Sequence, residues 1–240
     1  MKLSIIIPVY NEQKTIFEIL KKVCESKLPK GLLREIIVID DGSIDKSLSI
    51  INDAILKLNT YSLELFKHKK NQGKGAAVRT GLRQARGDII LIQDADLEYD
   101  PNDYTRLLDP ILSKKANVVY GTRLKNYPLR LYGKKTTPLI THYLGNKFLT
   151  LVTNIFYGNK VTDMETCYKV FRKEVIRNIK INADKFDFEP EITAKILKKG
   201  YKIYEVPIRV HPRGYDEGKK ITWKDGFIAL WTLIKYRFID

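Results

Sequence analysis

Four acids spaced two apart, Asp94, Asp96, Glu98 and Asp100, end the run "DIILIQDADLEYDP". The chain carries 43 Lys and Arg against 28 Asp and Glu, a formal net charge of +15, so carboxylates gathered behind a core strand oppose the overall balance. Crowded there, they repel one another and lose hydration unless a cation joins them. Oxygen-only ligands suit Mg2+ or Mn2+, which completes its shell with water and with a substrate's phosphate oxygens. If the strand runs on through Glu98, its alternation places Asp94, Asp96 and Glu98 on one side. The plainer alternative is an acidic turn capping a helix that begins at Pro101, and Asp100 suits that cap.

Other polar residues fall at comparable places. Tyr10 and Glu12 follow "SIIIPV", and Asp40 and Asp41 follow "EIIVI". In an open α/β sheet the carboxyl ends of the strands form the ligand crevice, so three strand ends point to one site. The stretch "NQGKGAAVRTG" is neither a phosphate loop of the GxxxxGK[ST] kind nor a dinucleotide fingerprint, because Val78 stands where a small residue is needed. Gly73 and Gly75 would allow close backbone approach, with Lys74 and Arg79 available for a diphosphate; a simple turn before a helix fits the segment equally well.

The elements that must position these residues alternate in type. "LSIIIPV", "EIIVIDDGS", "SLELFKH", "DIILIQDAD" and "NVVYGTR" read as strands. Helical patterns lie between them: Thr15 to Lys27, a stretch capped by Asp45 and running to about Leu58, "GKGAAVRTGLRQA", and a helix led by Pro101. Such alternation predicts βαβ units on a largely parallel sheet. Beyond Leu124 a basic, turn-rich loop over 124–137 is expected, then a helix from Leu139 to Tyr157 and strands at "CYKVFRKEVI" and "KIYEVPIRV". Trp223, Phe227, Leu230, Trp231, Ile234 and Phe238 fall on one face of a closing helix.

With 240 residues, 44% hydrophobic and 30% charged, the chain is long enough for a globular α/β domain with a full core. Cys24 and Cys167 form no CxxC pattern, which excludes a disulfide framework and a zinc site, and His68, His142 and His211 show no ligand spacing. No window reaches the roughly 18 apolar residues of a spanning helix, and the N-terminus lacks a signal-peptide core. The basic excess favours anionic partners, but no nucleic-acid motif accompanies it. A nucleotidyltransferase would carry a glycine-rich basic loop after the first strand, where this chain has "PVYNEQKT".

Taken in order, "SIIIPVYNE", "EIIVIDDGSID", "NQGKGAAVRTGLRQARGDIILIQDADLEYDP", "GTR" and "FEPEITAKILKKGYKIYEVPIRV" resemble the inverting family 2 glycosyltransferases of GT-A fold. The nearest likeness is to the dolichyl- and polyprenyl-phosphate hexosyltransferases, the dolichol-phosphate mannose synthase type. The resemblance implies a Rossmann-like, mostly parallel sheet flanked by helices over 1–220, with a nucleotide-sugar-binding half at 1–123, an acceptor half at 124–220, and an amphipathic helix at 221–240. It implies a nucleotide-sugar donor, UDP-glucose or GDP-mannose in type, a divalent Mg2+ or Mn2+, and a site facing the cytoplasm. Pro8, Tyr10, Glu12, Asp40, Asp41, Lys74 and Asp94 would hold the donor, Asp96 and Glu98 the metal. Glu98 stands where such enzymes often have Gln.

Farther on the likeness thins. "RGYDEGKKI" and "TDMETCYKVFR" depart from the subgroup's usual patterns while keeping Arg213, Lys219 and Asp163. A phosphate acceptor, largely dianionic at neutral pH, needs cations rather than a base, and Arg123, Arg130, Arg213 and Lys219 are the candidates. A saccharide or protein hydroxyl would need a general base, for which Asp163 is the candidate, so Asp94, Asp96 and Asp163 form the expected catalytic set. The basic aromatic C-terminal helix either packs on the core or lies in a membrane interface, and the latter implies peripheral attachment to the cytoplasmic face.

Overall fold

The structure, a computed structural model, describes residues 1–58, 62–123, 140–212, 220 and 222–239. Strands β1 (Lys2–Val9), β2 (Leu33–Asp40), β3 (Leu63–Lys67), β4 (Ile89–Ile92), β5 (Val118–Thr122), β6 (Lys169–Arg172) and β7 (Ile203–Pro207) form a seven-stranded sheet in the order β3-β2-β1-β4-β6-β5-β7. Only β6 runs antiparallel, between β4 and β5. Ile5, Ile6, Ile7, Ile36 to Ile39 and Ile89 to Ile92 are buried, as strands covered on both faces require.

Helices α1 (Ile16–Glu25), α2 (Ser47–Lys57), α3 (Lys74–Gln84) and α4 (Tyr104–Leu112) connect the first five strands. A 3₁₀ turn at Pro101–Asp103 precedes α4, and Asp100 caps it by accepting from the Asn102 amide at 3.0 Å. Later come α5 (Ile140–Tyr157), α6 (Lys173–Arg177), α7 (Phe188–Lys198) and α8 (Trp223–Phe238). A second, smaller core joins Leu149 of α5, Val161, Met164, Ala194 of α7, and Ala229, Leu233 and Tyr236 of α8.

Two expectations are corrected. The fourth strand stops at Ile92, so Asp94, Asp96 and Glu98 lie on a turn, with Leu97 at a φ of 63°. "CYKVFRKEVI" pairs only over Lys169–Arg172, because the chain turns into α6 from Lys173. On α8, Trp223, Phe227, Trp231 and Phe238 are exposed, while Ala229, Thr232, Leu233 and Tyr236 face inward. The loop at 124–137 lies outside the described residues.

Register brings the polar residues together. Pro8 pairs with Ile39 and Val9 with Asp40, the Asp41 amide bonds the Val9 carbonyl at 2.7 Å, and the Gln93 amide bonds the Ile6 carbonyl at 3.0 Å. The chains leaving β1, β2 and β4 therefore emerge side by side.

At the opposite edge a buried carboxylate ties the same strands. Glu35 accepts from Lys2 Nζ at 2.8 Å, Ser4 Oγ at 2.5 Å and the Arg86 amide and Nε, each at 3.0 Å. Burial would raise its pKa, but these donors overrule burial and hold it at about 2, below the ordinary 4.5. The carboxylate's contribution to stability is thus fully present above pH 4.5 and lost as pH falls through about 2. Glu35→Gln is expected to cost about 2 kcal/mol at pH 7. In denaturant titrations the gap from the parent should close as pH falls toward 2.

Candidate active site

A cleft of about 640 Å³ opens where β1, β2 and β4 end. Pro8, Tyr10, Glu12, Asp41, Lys74, Asp94, Asp96, Glu98 and Arg123 all line it. Asp40 does not: it is fully buried one residue behind Asp41, with Oδ2 lacking a hydrogen-bond partner among the described residues. Arg130, Arg213 and Lys219 lie outside the described residues.

Asp41 organises the loop between β3 and α3. Its carboxylate accepts from the Gln72 amide at 3.0 Å and the Gly73 amide at 2.7 Å, and meets His68 Nδ1 at 2.6 Å. His68 reaches Thr80 Oγ1 of α3 at 2.9 Å, so this histidine connects the loop to the helix. The glycines admit protein backbone. A Cβ at Gly73 would collide with the Asp184 carbonyl oxygen, and one at Gly75 would come within 2.5 Å of the Ala183 carbonyl oxygen. The Gly75 and Ala76 amides donate to the Lys185 and Asp184 carbonyls, and Arg79 is bound to Ala183 and Asp184. The first turn of α3 is therefore sealed by the 183–185 segment, leaving Lys74 as its cleft-lining cation.

Lys74 Nζ lies 2.8 Å from Asp94 and 2.8 Å from Glu189 of α7. Burial disfavours this ammonium, yet Asp94, Cys167 and Glu189 together hold its pKa well above the ordinary value. Glu189 is itself buried, and its Oε2 has no hydrogen-bond partner among the described residues. Glu165 also lines the cleft; burial and the Glu189 carboxylate raise its pKa. Neither Glu was singled out from sequence. The orphaned oxygens that mark them are properties of the folded chain.

Asp96 and Glu98 share the turn after β4, where the Glu98 amide donates to Asp96 Oδ1 at 3.0 Å. Beneath, Gln93 Oε1 accepts from Tyr104 at 2.7 Å and Tyr168 at 2.8 Å, and Gln93 Nε2 holds the Asp94 carbonyl at 3.0 Å. Among the described residues no group of three His, Cys, Asp or Glu could enclose a metal. An all-oxygen pair at the cleft wall fits a hard cation that draws its remaining ligands from a diphosphate and water.

Asp163, the expected base, is placed differently. It is fully buried, accepts from Arg123 Nε at 2.7 Å, Arg123 Nη2 at 2.8 Å, the Arg123 amide at 2.9 Å and Asn146 Nδ2 at 3.0 Å. Burial opposes its charge, but Arg123 and Asn146 overcome burial and lower the pKa. So engaged, its carboxylate holds Arg123 at the cleft wall. Glu205 of β7 fixes that loop through the Thr162 amide at 2.7 Å and the Asp163 amide at 3.1 Å.

Gly73 has a φ of +102° as well as the backbone contact. Gly73→Ala is therefore expected to lose about 2 kcal/mol. Chemical denaturation should register the loss.

Known proteins resemble this chain over most of its length. The chain is 29% identical over 245 residues to the UDP-N-acetylglucosamine–dolichyl-phosphate N-acetylglucosaminyltransferase of Methanococcus voltae, covering 96% of this chain and 94% of that one. It is 28% identical over 226 residues to the dolichol-phosphate mannosyltransferase of Pyrococcus furiosus, covering 91% of this chain and 59% of the relative. Among solved structures, glucosyl-3-phosphoglycerate synthase from Mycobacterium tuberculosis, in complex with Mg2+ and UDP, matches with a TM-score of 0.73 at 19% identity, covering 100% of this chain and 80% of that one. That likeness gives the fold, GT-A. The family model Glycosyl transferase family 2 matches residues 4–180, from β1 past α6 and through every strand end that builds the cleft, and the chain belongs to that family as a glycosyltransferase.

Proposed function

We propose that the protein transfers a hexose, with inversion, from a nucleotide sugar to a polyprenyl or dolichyl phosphate at a membrane surface. The observation that carries this reading is the setting of the cleft: donor-type residues inside, apolar helix faces at its rim. Thr141, Gly145 and Leu149 of α5 and Trp223, Gly226 and Ala229 of α8 line it. On the same helices Leu144, Phe148, Leu151 and Ile155, and Trp223, Phe227, Trp231 and Phe238, are exposed. Lys147, Lys224, Lys235 and Arg237 are interspersed among them. Exposed apolar stripes with basic residues suit an interfacial helix pair beside an anionic headgroup layer. Among the described residues no helix is long and apolar enough to cross a membrane.

In this reading residues 1–123 hold the donor, with Pro8, Tyr10, Glu12 and Asp41 around the base and ribose, Asp40 buried behind Asp41, and Lys74 in the donor loop. Asp94 stands at the sugar. A divalent cation, Mg2+ or Mn2+, at Asp96 and Glu98 would supply charge neutralisation for the departing nucleoside diphosphate. Arg123, aimed by Asp163, serves the acceptor phosphate with Arg130, Arg213 and Lys219 of 124–220. A hydroxyl acceptor would need a base, and Asp163 has both oxygens engaged by donors.

Purified protein with Mn2+, labelled UDP-glucose, UDP-N-acetylglucosamine or GDP-mannose, and polyprenyl phosphate should yield a lipid-linked sugar. Transfer to a glycan with none to the lipid would sink the proposal. Asp96→Ala should lower turnover at least about 100-fold while nucleotide binding without metal persists. Replacing Trp223, Phe227 and Trp231 together by Ser should weaken sedimentation with anionic vesicles at least about tenfold and leave the melting temperature near that of the parent.

A further inference from the structure

Two buried carboxylate oxygens in the cleft have no hydrogen-bond partner among the described residues: Oε2 of Glu189, in the first turn of α7, and Oε1 of Glu165, on the loop before β6. Buried acceptors without donors are uncommon in folded proteins and each carries a desolvation cost, so two in one ligand cleft point to a ligand that brings donors. Glu189 is joined through Lys74 to Asp94, the residue assigned to the donor sugar. A sugar presents several hydroxyls, each able to donate.

We infer that Glu165 and Glu189 form the hydroxyl-binding floor under the transferred sugar, and that this floor selects a neutral hexose over a uronic acid. The inference rests on the nucleotide-sugar reading and adds to it the chemical class of the sugar. A sugar carboxylate placed there would meet Asp94 and Glu189, which already share Lys74 as their cation. Lys74 faces two carboxylates, and Arg123 is forked onto Asp163. Lys169 lies fully buried, donating to the Met164 and Thr166 carbonyls with Nζ 4.3 Å from the centre of the Tyr120 ring.

The groups acting on Glu165 are Glu189 of α7, Lys169 of β6, Arg123 at the end of β5, and Asp163. Burial and Glu189 raise its pKa despite the two cations, so this spot resists a further negative charge. A sugar carboxylate would meet the same resistance. In its neutral form Glu165 both donates to and accepts from a hydroxyl, which suits a sugar ring.

Calorimetric titration with Mn2+ present tests the floor without requiring the acceptor. The titrants are UDP, UDP-glucose and UDP-glucuronate, and in parallel GDP, GDP-mannose and GDP-mannuronate. On whichever nucleotide binds, the neutral sugar nucleotide should bind at least about tenfold tighter than its uronic counterpart. Glu165→Ala should weaken the sugar nucleotide about tenfold with affinity for the bare diphosphate kept, and Glu165→Gln should recover part of that loss. Such a sugar-specific split is not what a merely structural role produces, and melting curves of both variants confirm folding. Equal affinity for the neutral and uronic forms, or unchanged sugar-nucleotide affinity in Glu165→Ala, would overturn the floor while leaving the donor reading intact. Failure of both UDP and GDP to bind would overturn the donor reading and the floor with it.

Discussion

The ion triplet of Lys74 with Asp94 and Glu189 is the constraint on which the cleft depends. It joins the start of α3, the turn after β4 and the first turn of α7, three places far apart in sequence. A buried ammonium is costly unless carboxylates surround it, and buried carboxylates are costly unless a cation does. Each group therefore makes the others tolerable. The arrangement holds α7 against α3 and the turn after β4 although that helix lies beyond the family match at 4–180.

Backbone packing supports the triplet. Gly73 and Gly75 let the 183–185 segment press onto α3, and the helix amides that often meet phosphate are used within the protein. Positive charge in the cleft comes from side chains instead. On the rim, the small Ala229 lies inward with Leu233 and Tyr236 against the second core, while Tyr157 OH donates to the Leu233 carbonyl at 2.7 Å and ties α5 to α8. Their remaining apolar faces have no covering element among the described residues.

Much of this was legible in the chain. The runs at β1, β2 and β4 are apolar and short, and the polar residues after them fall at the crevice because parallel strands end at a common edge. Other elements hid. Every residue of α7 except Lys198 is buried, so it has no polar face and no helical period to read. "CYKVFRKEVI" divides between β6 and α6, since an apolar run does not say where a strand loses its partner. The earlier and later halves of the chain also interlock, because Glu165 and Glu189 come from the later half yet line the cleft at the strand ends.

The sequence by itself determined the family, the α/β order and the residue types gathered at the strand ends, because these follow from local patterns along the chain. Only the tertiary structure decided what each group faces. Asp163 became the anchor of Arg123, since burial and a bidentate partner use both its oxygens. The aromatic stripe of α8 turned outward, since α5 and α7 took the opposite face. Oε1 of Glu165 and Oε2 of Glu189 emerged as acceptors without donors among the described residues. Spacing records which residues share a face, but burial and partners depend on elements that arrive from elsewhere in the chain.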